Sequence, residues 1–122
     1  MSLPHQSLNR EIIDDLQTIL GDGFSEIVDE QVEQAVGYIK DLEELLRANQ
    51  SDMAMRRAHA LKSSSGQVGM QGIYTLAKEL ELACKADIQS GKTSEEALAI
   101  YQTLREQFTL AAQHLRQYIK SS

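Results

Sequence analysis

The sequence predicts an all-α fold, an antiparallel up-down-up-down four-helix bundle with an additional N-terminal capping helix. Three observations carry that prediction. The chain's one proline is Pro4, and beyond it good helix formers (Ala, Leu, Glu, Gln, Lys) dominate. Apolar residues recur in steps of three and four, which paints one side of each helix. The breaks between these stretches are short and rich in Gly, Ser, Asn and Asp, and short connections favour antiparallel neighbours. We find no repeat or interdomain linker, so residues 1–122 are expected to form a single domain.

The first helix is expected from Leu8 to Leu20, with Leu8, Ile12, Leu16 and Ile19/Leu20 on its apolar side; Gly21-Asp22-Gly23 ends it. The second begins near Phe24 and carries Ile27/Val28, Val32, Ala35/Val36, Ile39, Leu42 and Leu45/Leu46. After the break at 48–52, Ser51 or Asp52 suits the N-cap of a third helix. That helix carries Arg56 to about Val68, and Gly69 suits the residue past its end. A fourth uses Ile73, Leu76/Ala77, Leu80, Cys84 and Ile88. Ser90-Gly91-Lys92-Thr93 reads as a turn, and Thr93 or Ser94 caps a fifth helix. Its stripe is Ala97, Ile100/Tyr101, Leu104, Phe108, Ala111, Leu115 and Tyr118/Ile119. Residues 1–6 are expected to be disordered or vector-derived, and His5 carries no weight.

Composition excludes several functions. The formal charge is −6, with no basic run, which speaks against nucleic acid and anionic membranes as partners. No apolar run approaches a membrane span, and the N-terminus lacks the pattern of a secretion signal. Cys84 is the single cysteine, so no intrachain disulfide can form and a cytoplasmic setting is expected.

The informative segment is Arg56-Arg57-Ala58-His59-Ala60-Leu61-Lys62-Ser63-Ser64-Ser65-Gly66-Gln67-Val68-Gly69. On a helix, Ala54, Ala58, Leu61, Ser65 and Val68 share one face, whereas His59, Lys62, Ser63 and Gly66 share another, with Arg56 at its edge. The two faces are centred roughly 140° apart, so one can enter a core while His59 meets water. A neutral imidazole is a usable nucleophile near neutral pH, and phosphorylated on a ring nitrogen it becomes a covalent carrier. Lys62, one turn on, can supply charge to phosphoryl oxygens. Small residues beside the histidine keep the surface low for an approaching partner, and the hydroxyls of Ser63 and Ser64 can donate hydrogen bonds. Arg56, Ser63, Ser64 and Gly66 are therefore the expected docking residues, with Met55 and Ala60 on an apolar rim. By spacing alone, a histidine near a lysine is ordinarily a solvated helix face.

Ala58-His59-Ala60-Leu61-Lys62-Ser63-Ser64-Ser65, then Gly69, then Ile73, Leu76, Leu80 and Glu81, resembles the signature of histidine-containing phosphotransfer domains. That family has Ala-His-x-Leu-Lys-Gly-x-Ser, a glycine at the position of Gly69, and a helix whose motif closes in Leu-Glu. The resemblance covers residues 58–81. It implies that His59 accepts and donates a phosphoryl group and that Lys62 stabilises its charge. It implies no cofactor or metal on this chain, since a partner receiver domain brings the aspartate and the divalent metal. The partners implied are response-regulator receiver domains and a hybrid sensor histidine kinase, and the chain itself is a carrier rather than an enzyme. A monomer is expected, because the carrier docks end on. Ser63 departs from the usual glycine, which bears on partner choice more than on chemistry. The form His-Ala-Leu-Lys-Ser-Ser is similar to the stand-alone carriers of bacterial quorum-sensing relays. The alternative is a helical module that binds a receiver or another signalling partner without carrying phosphate.

The remaining candidates read as structure. His114 lies beside the fifth helix's stripe and is expected half-buried. Glu79 and Glu81 do not share a helix face, and solvation or pairing with Lys78 or Lys85 is expected for them. Cys84 is expected to be an inert core thiol. Met53, Met55 and Met70 are expected to pack, and a cofactor-binding bundle enzyme lacks its ligands.

Overall fold

The computed structural model describes residues 4–121, and among them the secondary structure is entirely helical. A 3-10 turn at Pro4–Gln6 precedes α1 (Arg10–Leu20), α2 (Gly23–Arg47), α3 (Ser51–Gln67), α4 (Gln71–Asp87) and α5 (Glu95–Ser121). The core gathers Phe24, Leu42, Leu46, Leu61, Ile73, Leu80, Leu104 and Leu115, each essentially buried. Each such side chain contributes about 2 kcal/mol of burial. The stripes read for α2, α4 and α5 supply most of this core. Tyr101 enters it too, its hydroxyl donating to the Ile39 carbonyl oxygen at 3.2 Å.

Cross-helix partners show how neighbours run. Arg116 on α5 meets Asp29 on α2, while Arg105 meets Glu43. As α2 advances, α5 recedes, so the two are antiparallel. The same holds for α3 and α4. Glu81 is bonded to His59 and Lys62, and the Tyr74 ring lies beside Gly66.

Two helix ends close by the same device. After α3, Gly69 adopts φ +81°, the Gly69 N–H donates to Gly66 and the Met70 N–H to Ser65. After α2, Asn49 adopts φ +58°, with its N–H on Leu46 and that of Gln50 on Leu45. Both are Schellman closures, using the two residue types that best tolerate a left-handed backbone. Ser94 caps α5 as expected, accepting from the Ala97 N–H at 3.1 Å. Neither Ser51 nor Asp52 caps α3. The helix starts at Ser51, its cap position is Gln50 with no side-chain bond, and Ser51 is buried.

The N-terminal expectations need correction. Residues 1–3 lie outside the described residues, and the 3-10 turn at Pro4–Gln6 packs against α4 and α5. Gln6 is buried, and its amide donates to the Gln107 side chain at 2.7 Å. α1 starts at Arg10 rather than Leu8, and Asn9 caps it, its side chain accepting from the Ile12 N–H. The helix is also rotated from its expected face. Ile13 is fully buried, whereas Ile12 is half out and Ile19 is 76% exposed. The cause is a tie at the helix start: the Asn9 N–H donates to the Gly69 carbonyl oxygen at 2.8 Å. That tie aims Ile13 at the hydrogen side of Gly69.

An ideal Cβ on Gly69 would stand 2.6 Å from Ile13 Cγ1 and 3.1 Å from the Asn9 carbonyl oxygen. Gly69→Ala is therefore expected to cost about 3 kcal/mol in urea denaturation, from backbone strain plus overpacking. Gly91 has φ +70° but open space around it, so Gly91→Ala should cost only about 1 kcal/mol. Equal losses would contradict the packing role given to Ile13.

Candidate functional site

Helix α3 sorts its residues as the periodicity predicts. Ala54, Ala58, Leu61 and Ser65 are buried, while the His59 side chain is 62% exposed. The imidazole leans toward α4. Its Nδ1 lies 2.7 Å from Glu81 Oε2, and Lys62 Nζ donates to Glu81 Oε1 at 2.7 Å. One carboxylate thus holds the nucleophile candidate and the cation candidate together.

This overturns the expectation for Glu81, whose partners are Lys62 and His59 on the neighbouring helix rather than Lys78 or Lys85 on its own. The i−3 and i+4 lysines flank Glu81 along α4 but point outward, whereas Glu81 stands at the edge that faces α3. Burial pushes the Glu81 carboxyl up, but the hydrogen bonds from Lys62 and His59 outweigh it and hold the group below its ordinary value. An ionised carboxylate only accepts. A neutral His59 must then carry its proton on Nδ1, donating to Glu81, and its Nε2 keeps a free lone pair toward solvent. Lys62 has further ammonium hydrogens beyond the one it gives Glu81. The pair presents a nucleophilic nitrogen and a cation on an open surface.

The expected docking residues divide. Arg56 and Ser63 are exposed beside His59. Ser64 is not part of that surface. It is 7% exposed and bonds the Leu61 carbonyl oxygen in its own helix, because it falls on the side of α3 turned to α2. Gly66 is half-buried, and a Cβ there would come 3.1 Å from Tyr74 Cδ2. Its small size serves the close approach of α3 and α4 rather than a partner. Ser65 is buried on the inner face as read, and its hydroxyl has no partner among the described residues.

Other candidates stay structural. Cys84 is fully buried, and burial, with Asp87 nearby, pushes its thiol up to about 11. His114 is half-buried and Met70 lies in the core, but Met53 is 45% exposed rather than packed. Among the described residues no group of three or more His, Cys, Asp or Glu is placed to hold a metal ion. No described helix is long and apolar enough to cross a membrane.

Comparison with protein families gives one finding. The model described as Hpt domain matches residues 26–118, from early α2 to near the end of α5. That span contains His59, Lys62 and Glu81. No curated protein and no solved structure matches the chain.

The lowered Glu81 carboxyl has a consequence for stability. A group depressed in the folded state stabilises the fold above its unfolded pKa, and that contribution is lost as pH falls through the folded value. Glu81→Gln is expected to lower stability by about 1 kcal/mol at about pH 5. The gap should close as the pH drops below 4.5 and through the lowered value. Urea denaturation across that range checks both the size and the sign. A gap that widens on acidification would contradict an ionised, bonded Glu81.

Proposed function

The chain belongs to the Hpt family of histidine-containing phosphotransfer domains, and from that premise we propose that His59 is the phosphoryl carrier of a phosphorelay. The observation that carries this reading is the shared Glu81 carboxylate, which leaves Nε2 of an exposed imidazole as the reactive nitrogen beside Lys62. The antiparallel pairs α2/α5 and α3/α4 support an up-down-up-down bundle with α1 as its cap.

In the proposed step, His59 Nε2 attacks the phosphorus of an aspartyl phosphate on a partner receiver domain. The new N–P bond forms as the P–O bond to the aspartate breaks, and that carboxylate leaves as the anion. The Nδ1 proton stays on the ring. The phosphorylated ring is then a cation balanced by Glu81, so no proton has to move during transfer. Lys62 offers ammonium hydrogens to the incoming phosphoryl oxygens. Reversal onto a second receiver aspartate runs through the same atoms. The partner supplies the divalent metal and most of the charge stabilisation, and this chain supplies position. A hybrid sensor kinase upstream, a receiver downstream, a cytoplasmic setting and a monomeric carrier complete the reading.

The second reading, a receiver-docking module that carries no phosphate, draws on Ser63, which is exposed where the family commonly has glycine. The two separate on one experiment. A panel of phosphorylated receiver domains, with a working carrier as control, is mixed with the protein and followed by intact mass. An acid-labile adduct is expected on the wild type and none on His59→Ala. Lys62→Ala should load about tenfold more slowly, the value of one charge-assisted hydrogen bond. Receivers that bind the wild type yet leave no adduct would overturn the carrier reading in favour of the docking module.

A further inference from the structure

The charges around His59 are distributed unlike those of the rest of the chain. Arg56 and Lys62 stand one turn either side of His59 on α3. On α4, Lys78 and Lys85 stand three residues before and four after Glu81, outward of the edge that Glu81 occupies, and both are exposed. Two carboxylates lie near these four cations: Glu81, already bonded to His59 and Lys62, and Glu79, exposed on the side of α4 away from α3. Asp52 lies two turns from His59 toward the start of α3, one turn before Arg56. Yet the whole chain carries −6. The other flank of α3 lacks this positive excess. There Arg57 is tied to Asp41 of α2 at 3.2 Å, and Glu44, one turn on, is exposed.

An apolar contact lies within the cationic strip. Leu82 is 57% exposed, placed between Lys78 and Lys85 on the outward side of α4. An exposed leucine with Lys78, Glu79 and Lys85 one turn away has the layout of an interface centre with a charged rim. The imidazole is also held toward this side, since its Nδ1 is anchored on α4.

We infer that the phosphorelay partner docks over the seam between α3 and α4, with a carboxylate-rich face against Arg56, Lys78 and Lys85 and an apolar contact on Leu82. The inference rests on the carrier reading. A protein that stores phosphate on an aspartate and holds a divalent metal there needs several carboxylates around that aspartate, so its active face is acidic. Such a face is drawn to the α4 side more than to the α2 side, which sets the orientation as well as the encounter rate. Lys78, Leu82 and Lys85 are positioning residues here and do not touch the reacting atoms.

The experiment uses a phosphorylated receiver that loads the wild-type protein. Transfer is followed by rapid quench at low and high salt for the wild type, Lys78→Glu/Lys85→Glu, Leu82→Ala and, on the α2 flank, Glu44→Lys. All changes are at exposed positions, and thermal unfolding confirms the fold of each variant. The lysine pair is expected to lower the second-order rate about tenfold at low salt and flatten its salt dependence. The rate at saturating receiver should stay unchanged, as befits docking rather than chemistry. Leu82→Ala should slow the second-order rate severalfold and Glu44→Lys leave it within twofold. A lysine-pair variant that matches the wild type, or a larger effect from Glu44→Lys than from the lysine pair, would overturn the seam while leaving the carrier reading intact. If no receiver loads the wild type, the carrier reading falls and the inference falls with it.

Discussion

The site depends on one carboxylate held between two helices. Glu81 reaches from α4 to α3 and takes a hydrogen bond from Lys62 with one oxygen and meets His59 Nδ1 with the other. Its charge decides which ring nitrogen carries the proton, and thus which is free to react. It also keeps Lys62 beside the imidazole instead of letting a long side chain sample the solvent. At one-fifth exposure the carboxylate is sheltered enough to order both partners, and both partners still meet water.

That arrangement needs α3 and α4 to lie close and in register. Gly66 permits the approach by leaving room for the Tyr74 ring. The Schellman closure at Gly69 turns the chain within a few residues, so the two helices form a tight hairpin. Ile13 and Asn9 of the N-terminal segment then lock that turn from outside. Helix α1 is distant from the chemistry in sequence, yet it braces the corner that sets the register of the hairpin. The rest of the core holds this pair against α2 and α5.

Much of this was legible in the residues. The long stripes of α2 and α5 named their buried positions because a step of three or four residues has one meaning on a helix. The opposition of Ala58 and Leu61 to His59 was legible for the same reason. Periodicity failed where a contact from another segment decided the outcome. The face of α1 was misread because the tie from Asn9 to Gly69 rotates it, bringing in Ile13 instead of Ile12. Ser64 was misread because a serine at the border of two faces carries no sign of which it joins. Glu81 was misread because its partners lie across a turn, where neighbours along α4 say nothing. A register argument about that turn would have found it. His59 and Glu81 stand at equal distances on either side of Met70, as do Gly66 and Tyr74. Folding the hairpin at Met70 brings both pairs face to face.

The most direct test of this account is the protonation of the His59 ring, read from long-range proton–nitrogen correlations at a pH well above about 6.5, where an ordinary imidazole is neutral. The account predicts the Nδ1–H form, with a bare Nε2, and its loss when Glu81 is changed to Ala. An Nε2–H form in the wild-type protein would contradict it, because the nitrogen facing the partner would then hold a proton and not a lone pair.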